Sequence, residues 1–320
     1  LTDMKIDPIF LDGDELASHL AETEAAMALV DPGAESPLPN VSLALAGLTT
    51  PALAETDCAS EWVLISNMTN AQGDEATLNG DQCQVMNVTW ADGTTADSLQ
   101  WNIPELAQSA LQSTMPHAAE LVISGLREDN VTEEMGALAG QAADMVISYA
   151  WDATSRDLDI ADLSVSFEDG QGIAVTGKVN GLDLSSPQMM QISAMSAALT
   201  NLDLQIKGTD MLTLLAGIED IAEGNSASAP SAEEIQDANE LVDQLPQASF
   251  DAASRQALKD LVAALPSPQD GARLTLKSDA GLSAVRLMPV MMSGDASPAQ
   301  IMDVLFEGAT VNVTYPWTAE

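Results

Sequence analysis

Asp157, Asp159 and Asp162 place three carboxylates within six positions, hard oxygen donors of the kind calcium takes from turns. Similar clusters occur at Asp12, Asp14 and Glu15 and at Glu168 with Asp169. None follows the twelve-residue helix-loop-helix calcium pattern, and the plain alternative for each is an acidic turn facing water. Carboxylate pairs also serve glycoside hydrolysis, which needs two of them about 5 to 9 Å apart across a cleft. A carboxylate-dependent exported hydrolase is therefore one alternative function. Other catalytic signatures are absent: there is no G-x-S-x-G, no H-E-x-x-H and no phosphate loop ending in Lys. The only histidines are His19 and His117, each read as lying in a helix. Gly170, Gly172 and Gly177 imitate half of a dinucleotide fingerprint, but a strand follows them where a helix N-terminus is required. They read as a hairpin turn and a bulge, and the chain is expected to be no enzyme.

Sulfur offers two further chemistries. Cys58 and Cys83 are the only cysteines, 25 positions apart, and a single bridge between them is expected, with two reduced buried thiols as the alternative. A bridge implies an oxidising compartment. Met189, Met190 and Met195, with Met288, Met291 and Met292, suit soft copper, a flexible lining for a lipid or peptide, or plastic core. Core is the expectation, because no His or Cys lies near them in sequence.

Charge decides which partners are excluded. Lys and Arg number 10 against 49 Asp and Glu, for a net charge of −39. Such a surface repels phosphate backbones and anionic headgroups, so nucleic acid and polybasic membrane docking are ruled out as functions. Charged residues make up only 18%, so the imbalance comes from scarce cations and suits a salty, extracytoplasmic setting. Aromatics at 3% disfavour a sugar- or base-stacking surface. No apolar run reaches the roughly 18 to 20 residues of a membrane span. Residues Val41 to Ala54 resemble the apolar core and cleavage site of an export signal, without a basic region before them.

The elements that must position these groups come in blocks. Strands are expected at Trp62 to Met68, Cys83 to Trp90 and Ser98 to Ile103, with a turn at Asp92 and Gly93. Helices are expected after Pro104, on to about Leu126, and from Thr132 through Ile147. Leu158 to Leu184 alternates as a long hairpin, and Leu202 to Ile206 as a strand. Helices follow from Thr209 to Ile221, from Ser231 to about Leu245 by a capping box with Glu234, and from Ala252 to Leu265. Gly224 to Pro230 reads as an exposed linker. Strands at Ala272 to Lys277, Leu282 to Met288 and Thr310 to Tyr315, with a short helix after Pro298, end the chain. The order predicts an α+β fold, an antiparallel sheet built from long hairpins with helices packed on one face. Three domains are expected: a helical or extended segment 1–57, a disulfide-stapled β unit with helices 58–150, and an α+β domain 151–320.

Tyr149, Trp151 and Asp152, followed by the alternation Leu158, Ile160, Leu163, Val165, Val175, Gly177, Val179, Gly181 and Leu182, resemble AsmA-like and related exported proteins of the bacterial envelope. The resemblance covers about a fifth of the chain. It implies an envelope-located, non-enzymatic protein whose sheet cradles apolar material. Unlike those families, the chain is expected to carry no membrane anchor and no extended run of such strands, which argues against lipid conduction. The function expected is thus a periplasmic or secreted acidic protein that binds an apolar ligand or serves as a structural component. The alternative of a different class is a homo-oligomeric assembly subunit that recognises its protein partner through the edge of strand Thr310 to Tyr315.

Overall fold

The computed structural model describes residues 57–112, 114–127, 140–216, 231–265, 268, 270–292 and 297–318. Its frame is one antiparallel sheet: β1 (Ala71–Gln72), β2 (Thr77–Asn79), β3 (Gln82–Trp90), β4 (Thr95–Asn102), β5 (Ala118–Leu126), β6 (Ala143–Asp152), β7 (Asp157–Phe167), β8 (Gly172–Asn180), β9 (Ala198–Lys207), β10 (Gly271–Leu282) and β11 (Ala309–Trp317). From β3 to β11 every strand pairs with its sequence neighbours, and the short β1 and β2 both pair with β3. The helices are α1 (Cys58–Thr69), α2 (Leu106–Gln112), α3 (Pro187–Ala194), α4 (Thr209–Ala216), α5 (Ala232–Gln244), α6 (Ala252–Ala264), α7 (Met288–Met291) and α8 (Pro298–Leu305), with a 3-10 turn at Ala284–Leu287. The fold is α+β with an antiparallel sheet of hairpins. None of the described helices is long and apolar enough to cross a membrane.

Period-two alternation, carried through nine strands in consistent register, gives the sheet one apolar face. A single row runs Cys83, Trp101, Leu121, Ile147, Leu163, Val175, Leu204, Leu274, Val313, each the Cα partner of the next. The row beside it runs from Val85 and Leu99 to Ile206 and Ala272, apolar at every position. A one-residue slip would turn these side chains to water, so burial at the sheet's ends fixes the register.

Helices cover that face at two places. Near β3 and β4, Trp62 and Ile65 of α1 pack on Val85, Leu99 and Trp101, and the Cys58–Cys83 disulfide ties the helix to the sheet. At the other end Ala257 and Leu258 of α6, with Phe250, pack on Leu276, Val311 and Val313. Two separate cores result, both on the same face.

Several local expectations are corrected. Trp62 to Met68 is helix, because Cys58, Trp62 and Ile65 fall at helical spacing and the Asp57 carboxylate caps the start by accepting from the Ser60 N–H. Residues after Pro116 form β5, and Ala143 to Ile147 belong to β6; the expected cap at Thr132 lies outside the described residues, as do 1–56, the linker 224–230 and the helix beyond 216. Leu282 ends β10, and the stretch to Met288 turns into the 3-10 segment and α7, with Pro289 in the first turn, where its missing N–H costs nothing. The capping boxes at Ser231 with Glu234 and Ser297 with Gln300 form with both reciprocal bonds. Residues 56–320 make one compact unit, and the division expected at 150 falls inside β6.

Candidate functional site

Among the described residues, no helix covers the apolar face between the two cores. The ends of the central row are buried, with Cys83 and Trp101 each 1% exposed and Val313 8%, whereas Leu163 in the middle is 44% exposed. Apolar surface left in water this way costs about 25 cal/mol per Å² relative to burial. The floor of the opening is Ile147 and Tyr149 of β6 with Leu158, Ile160 and Leu163 of β7. Ile160 and Leu163 share this face because the strand bulges between them, opposite the pairing of Ser148 with Asp162. Gly177 faces Ile160 from β8, where a Cβ would come within 2.8 Å of the Asn201 carbonyl, so the floor there has no side chain.

The walls come from connections at one end of the sheet. Leu182 and Leu184 lie in the link between β8 and α3, which is held at several points. The Trp151 indole N–H donates to the Leu182 carbonyl at 2.8 Å, and the Leu182 N–H donates to the Arg156 carbonyl at 2.9 Å. The Asp183 N–H donates to the Ser193 hydroxyl at 2.8 Å, tying the link to α3. The Asp183 carboxylate accepts from the Ser185 hydroxyl and lies 3.4 Å from the Arg156 guanidinium, and the Ser185 bonds hold its pKa below the usual range. Met190 of α3 closes one side and Met115, before β5, the other. The Tyr149 phenol donates to the Pro116 carbonyl at 3.2 Å, fixing the segment that carries Met115, and burial pushes that phenol up.

The result is a shallow, open groove of about 270 Å³, just under the roughly 300 to 1,000 Å³ of small-molecule sites, room for part of an alkyl chain. No lysine or arginine lines it, and its one carboxylate residue is Asp162. Its chemistry is that of a hydrocarbon surface.

The residues singled out for chemistry are distributed differently. Lys178 stands between Asp157, at 3.3 Å, and Asp159, at 3.6 Å, and the ammonium's pKa is raised chiefly by its hydrogen bond with Asp157. Asp162, paired with Ser148, contributes to the groove's lining instead. Asp157, Asp159 and Asp162 thus form no common ligand set, and among the described residues no group of three or more His, Cys, Asp or Glu side chains is placed to hold a metal ion. Glu168 approaches Arg127, which also pairs with Asp97 at 2.9 Å, and Asp169 accepts from the Gln171 N–H in the turn. His117, read as helical, sits just before β5 with its ring stacked on Trp151 at 5.1 Å between centroids. Cys58 and Cys83 are bridged.

The methionines depart most from expectation. Met190, Met195, Met288 and Met292 are exposed rather than core, because the connections carrying them project beyond the sheet's end. Leu182 and Leu184, read as strand, and Met115, within the stretch read as helix after Pro104, are wall residues instead. The available signal was an alternation continuing over more strands than the predicted helices could cover. No family model matches the chain, and no curated protein matches it either.

Proposed function

We propose that this chain is a non-enzymatic, exported binding protein that holds an apolar ligand, an alkyl chain or comparable hydrocarbon, in the groove on β6 and β7. The observation that carries the reading is the middle of an apolar face that the described helices cover only at its two ends, with Leu163 at its floor. Contiguous apolar surface of this kind on a folded unit marks a binding site more often than chance. The lining supplies no cation for a phosphate or carboxylate headgroup, so affinity rests on chain burial, about 0.8 kcal/mol per buried CH₂. The buried Cys58–Cys83 bridge supports an oxidising compartment, periplasmic or secreted. The likeness of this hairpin to AsmA-like proteins points the same way, since those sheets cradle apolar material.

Native mass spectrometry of the full chain, purified without detergent after export, tests the proposal. A retained lipid-sized mass, or saturable uptake of a long-chain fluorescent fatty amide, is the expected result. A ligand-free protein that takes up neither overturns it, and a defined oligomer free of ligand favours the assembly-subunit reading.

One observation bears on that second reading. Along the outer edge of β11 the Ala309, Val311 and Val313 N–H groups donate to the Phe306 carbonyl, the Ser249 carbonyl and the Ser254 hydroxyl, and Pro316 has no N–H to give. These donors are withheld from a second copy's strand. Self-association, where it occurs, is better served by the open apolar face.

A further inference from the structure

Connections at one end of the sheet carry an exposed apolar rim. Met190 borders the groove, and the same helix α3 and the residue after it expose Ile192 and Met195. On the connection after β10, Val285, Met288 and Met292 are also exposed, at helical spacing, the last at 84%. The two sides are joined where the Val285 N–H donates to the Met195 carbonyl at 3.1 Å. Six large exposed apolar side chains thus fall on two connections joined by that bond, and methionine's unbranched, polarisable chain adapts to partners of varied shape.

Charge names the partner's chemistry. Between Gly181 and Ala197 no charged residue occurs other than the paired Asp183. In the segment of Val285, Met288 and Met292 the cation is Arg286, which donates to the Gly281 and Glu307 carbonyls and lies 3.6 Å from the Glu307 carboxylate. Asp303, by contrast, is exposed and makes no ion pair among the described residues. It lines an open cleft of about 380 Å³ between α7 and α8 whose other walls are Pro289, Val290, Gln300 and Val304. An apolar rim beside an open carboxylate, on a chain of net charge −39, complements a segment with an apolar face and basic flanks. An anionic bilayer is repelled by the same charge.

We infer that the Met195, Met288 and Met292 rim is a docking surface for a basic amphipathic helix of a partner protein, with an arginine or lysine of that helix meeting Asp303. This helix-docking mode places apolar side chains at i, i+3, i+4 and i+7 over the methionines while a cation reaches Asp303. The inference stands apart from the ligand reading, since it concerns the rim and not the groove floor.

Fluorescence anisotropy with labelled synthetic peptides, using the full chain, tests it. A basic amphipathic helix of about 18 residues is expected to bind at least about tenfold more tightly than an acidic peptide with the same apolar face, and to weaken as salt is raised from about 0.05 to about 0.5 M. The M288Q/M292Q pair, exposed enough to leave folding intact, is expected to weaken the basic peptide about tenfold, and Asp303→Asn about threefold. Equal affinity for both peptides, or unchanged binding by both variants with unaltered melting, overturns the inference. So does binding confined to zwitterionic phosphatidylcholine vesicles, which would make the rim a membrane contact. None of these readouts depends on whether the groove holds a lipid.

Discussion

Ile147 and Leu163 face each other across the β6 and β7 pair at the centre of a nine-strand apolar row, yet Leu163 keeps 44% of its surface in water. The same row ends at Val313, which packs in the α6 core beside Leu276. Position along one row thus separates binding from stability. Leu163→Ser is expected to change unfolding free energy by under about 1 kcal/mol while lowering uptake of a hydrophobic fluorophore at least severalfold. Leu276→Ala, 4% exposed in wild type, is expected to cost about 2 to 5 kcal/mol. Urea titration paired with fluorophore binding measures both. Equal destabilisation by the two would mean that Leu163 is covered in solution and the groove is not open.

Cys58 and Cys83 close a loop of sequence separation 25, and both sulfurs are buried beneath α1. On the chain-entropy account, losing the bridge costs about 3 to 4 kcal/mol. The double Cys58→Ser and Cys83→Ser variant is expected to show that loss in denaturant unfolding, with α1 released first, since the bridge is its covalent tie to β3 and only side-chain packing and the Trp101 indole bond to Glu61 at 2.8 Å then hold it. Hydrogen exchange would show residues 58–69 losing protection ahead of β6 and β7. Uniform loss across the sheet would instead make the bridge a global staple.

Much of this architecture is legible in the sequence because long alternating strands advertise themselves. Leu158 to Val179 specifies a hairpin by period alone, and Ser231 with Glu234 announces α5 through its cap. Trp62 to Met68 reads wrongly as strand because Val63 and Leu64 fill the gaps between helically spaced Trp62 and Ile65, so the run mimics a buried strand. Residues after Pro116 mislead in the opposite direction, as alanines at 118 and 119 suggest helix where pairing with β4 and β6 decides otherwise. The groove itself is beyond local reading. Which apolar residues remain uncovered depends on where α1 and α6 stop, a tertiary quantity that no window of sequence contains.

Asp203 and Arg273 face water on the polar side of the sheet, joined by bonds from Nε at 3.0 Å and Nη2 at 2.5 Å. The side-chain hydrogen bonds from Arg273 hold the Asp203 carboxyl below its usual value. A depressed folded-state pKa means the stabilisation is fully present above the unfolded value, about 3.9, and is lost as pH falls through the lower folded value. Asp203→Asn should therefore be less stable than wild type near pH 6, with the difference shrinking below about pH 4. Partial exposure keeps the effect at or below about 1 kcal/mol. Melting temperatures of the two proteins from about pH 2 to 7 test it, and a gap that stays constant across that range rejects the linkage.

Ser254 and Val313 define the last outcome, at the sheet's outer edge. The Ser254 hydroxyl, 2% exposed as a residue, accepts the Val313 N–H at 3.1 Å, while its own N–H caps α6 through Asp251 at 2.7 Å. Replacing Ser254 by Ala keeps the cap, which uses the backbone, and removes only the acceptor. The buried Val313 N–H is then left unpaired, a loss of about 1 to 3 kcal/mol. Amide exchange at Val313 is expected to accelerate while that at Thr314, in the β10 ladder, stays slow until global unfolding. Unchanged exchange at Val313 would show that another acceptor closes this edge, and sedimentation of the same variant would show whether an uncapped β11 begins to pair with a second copy.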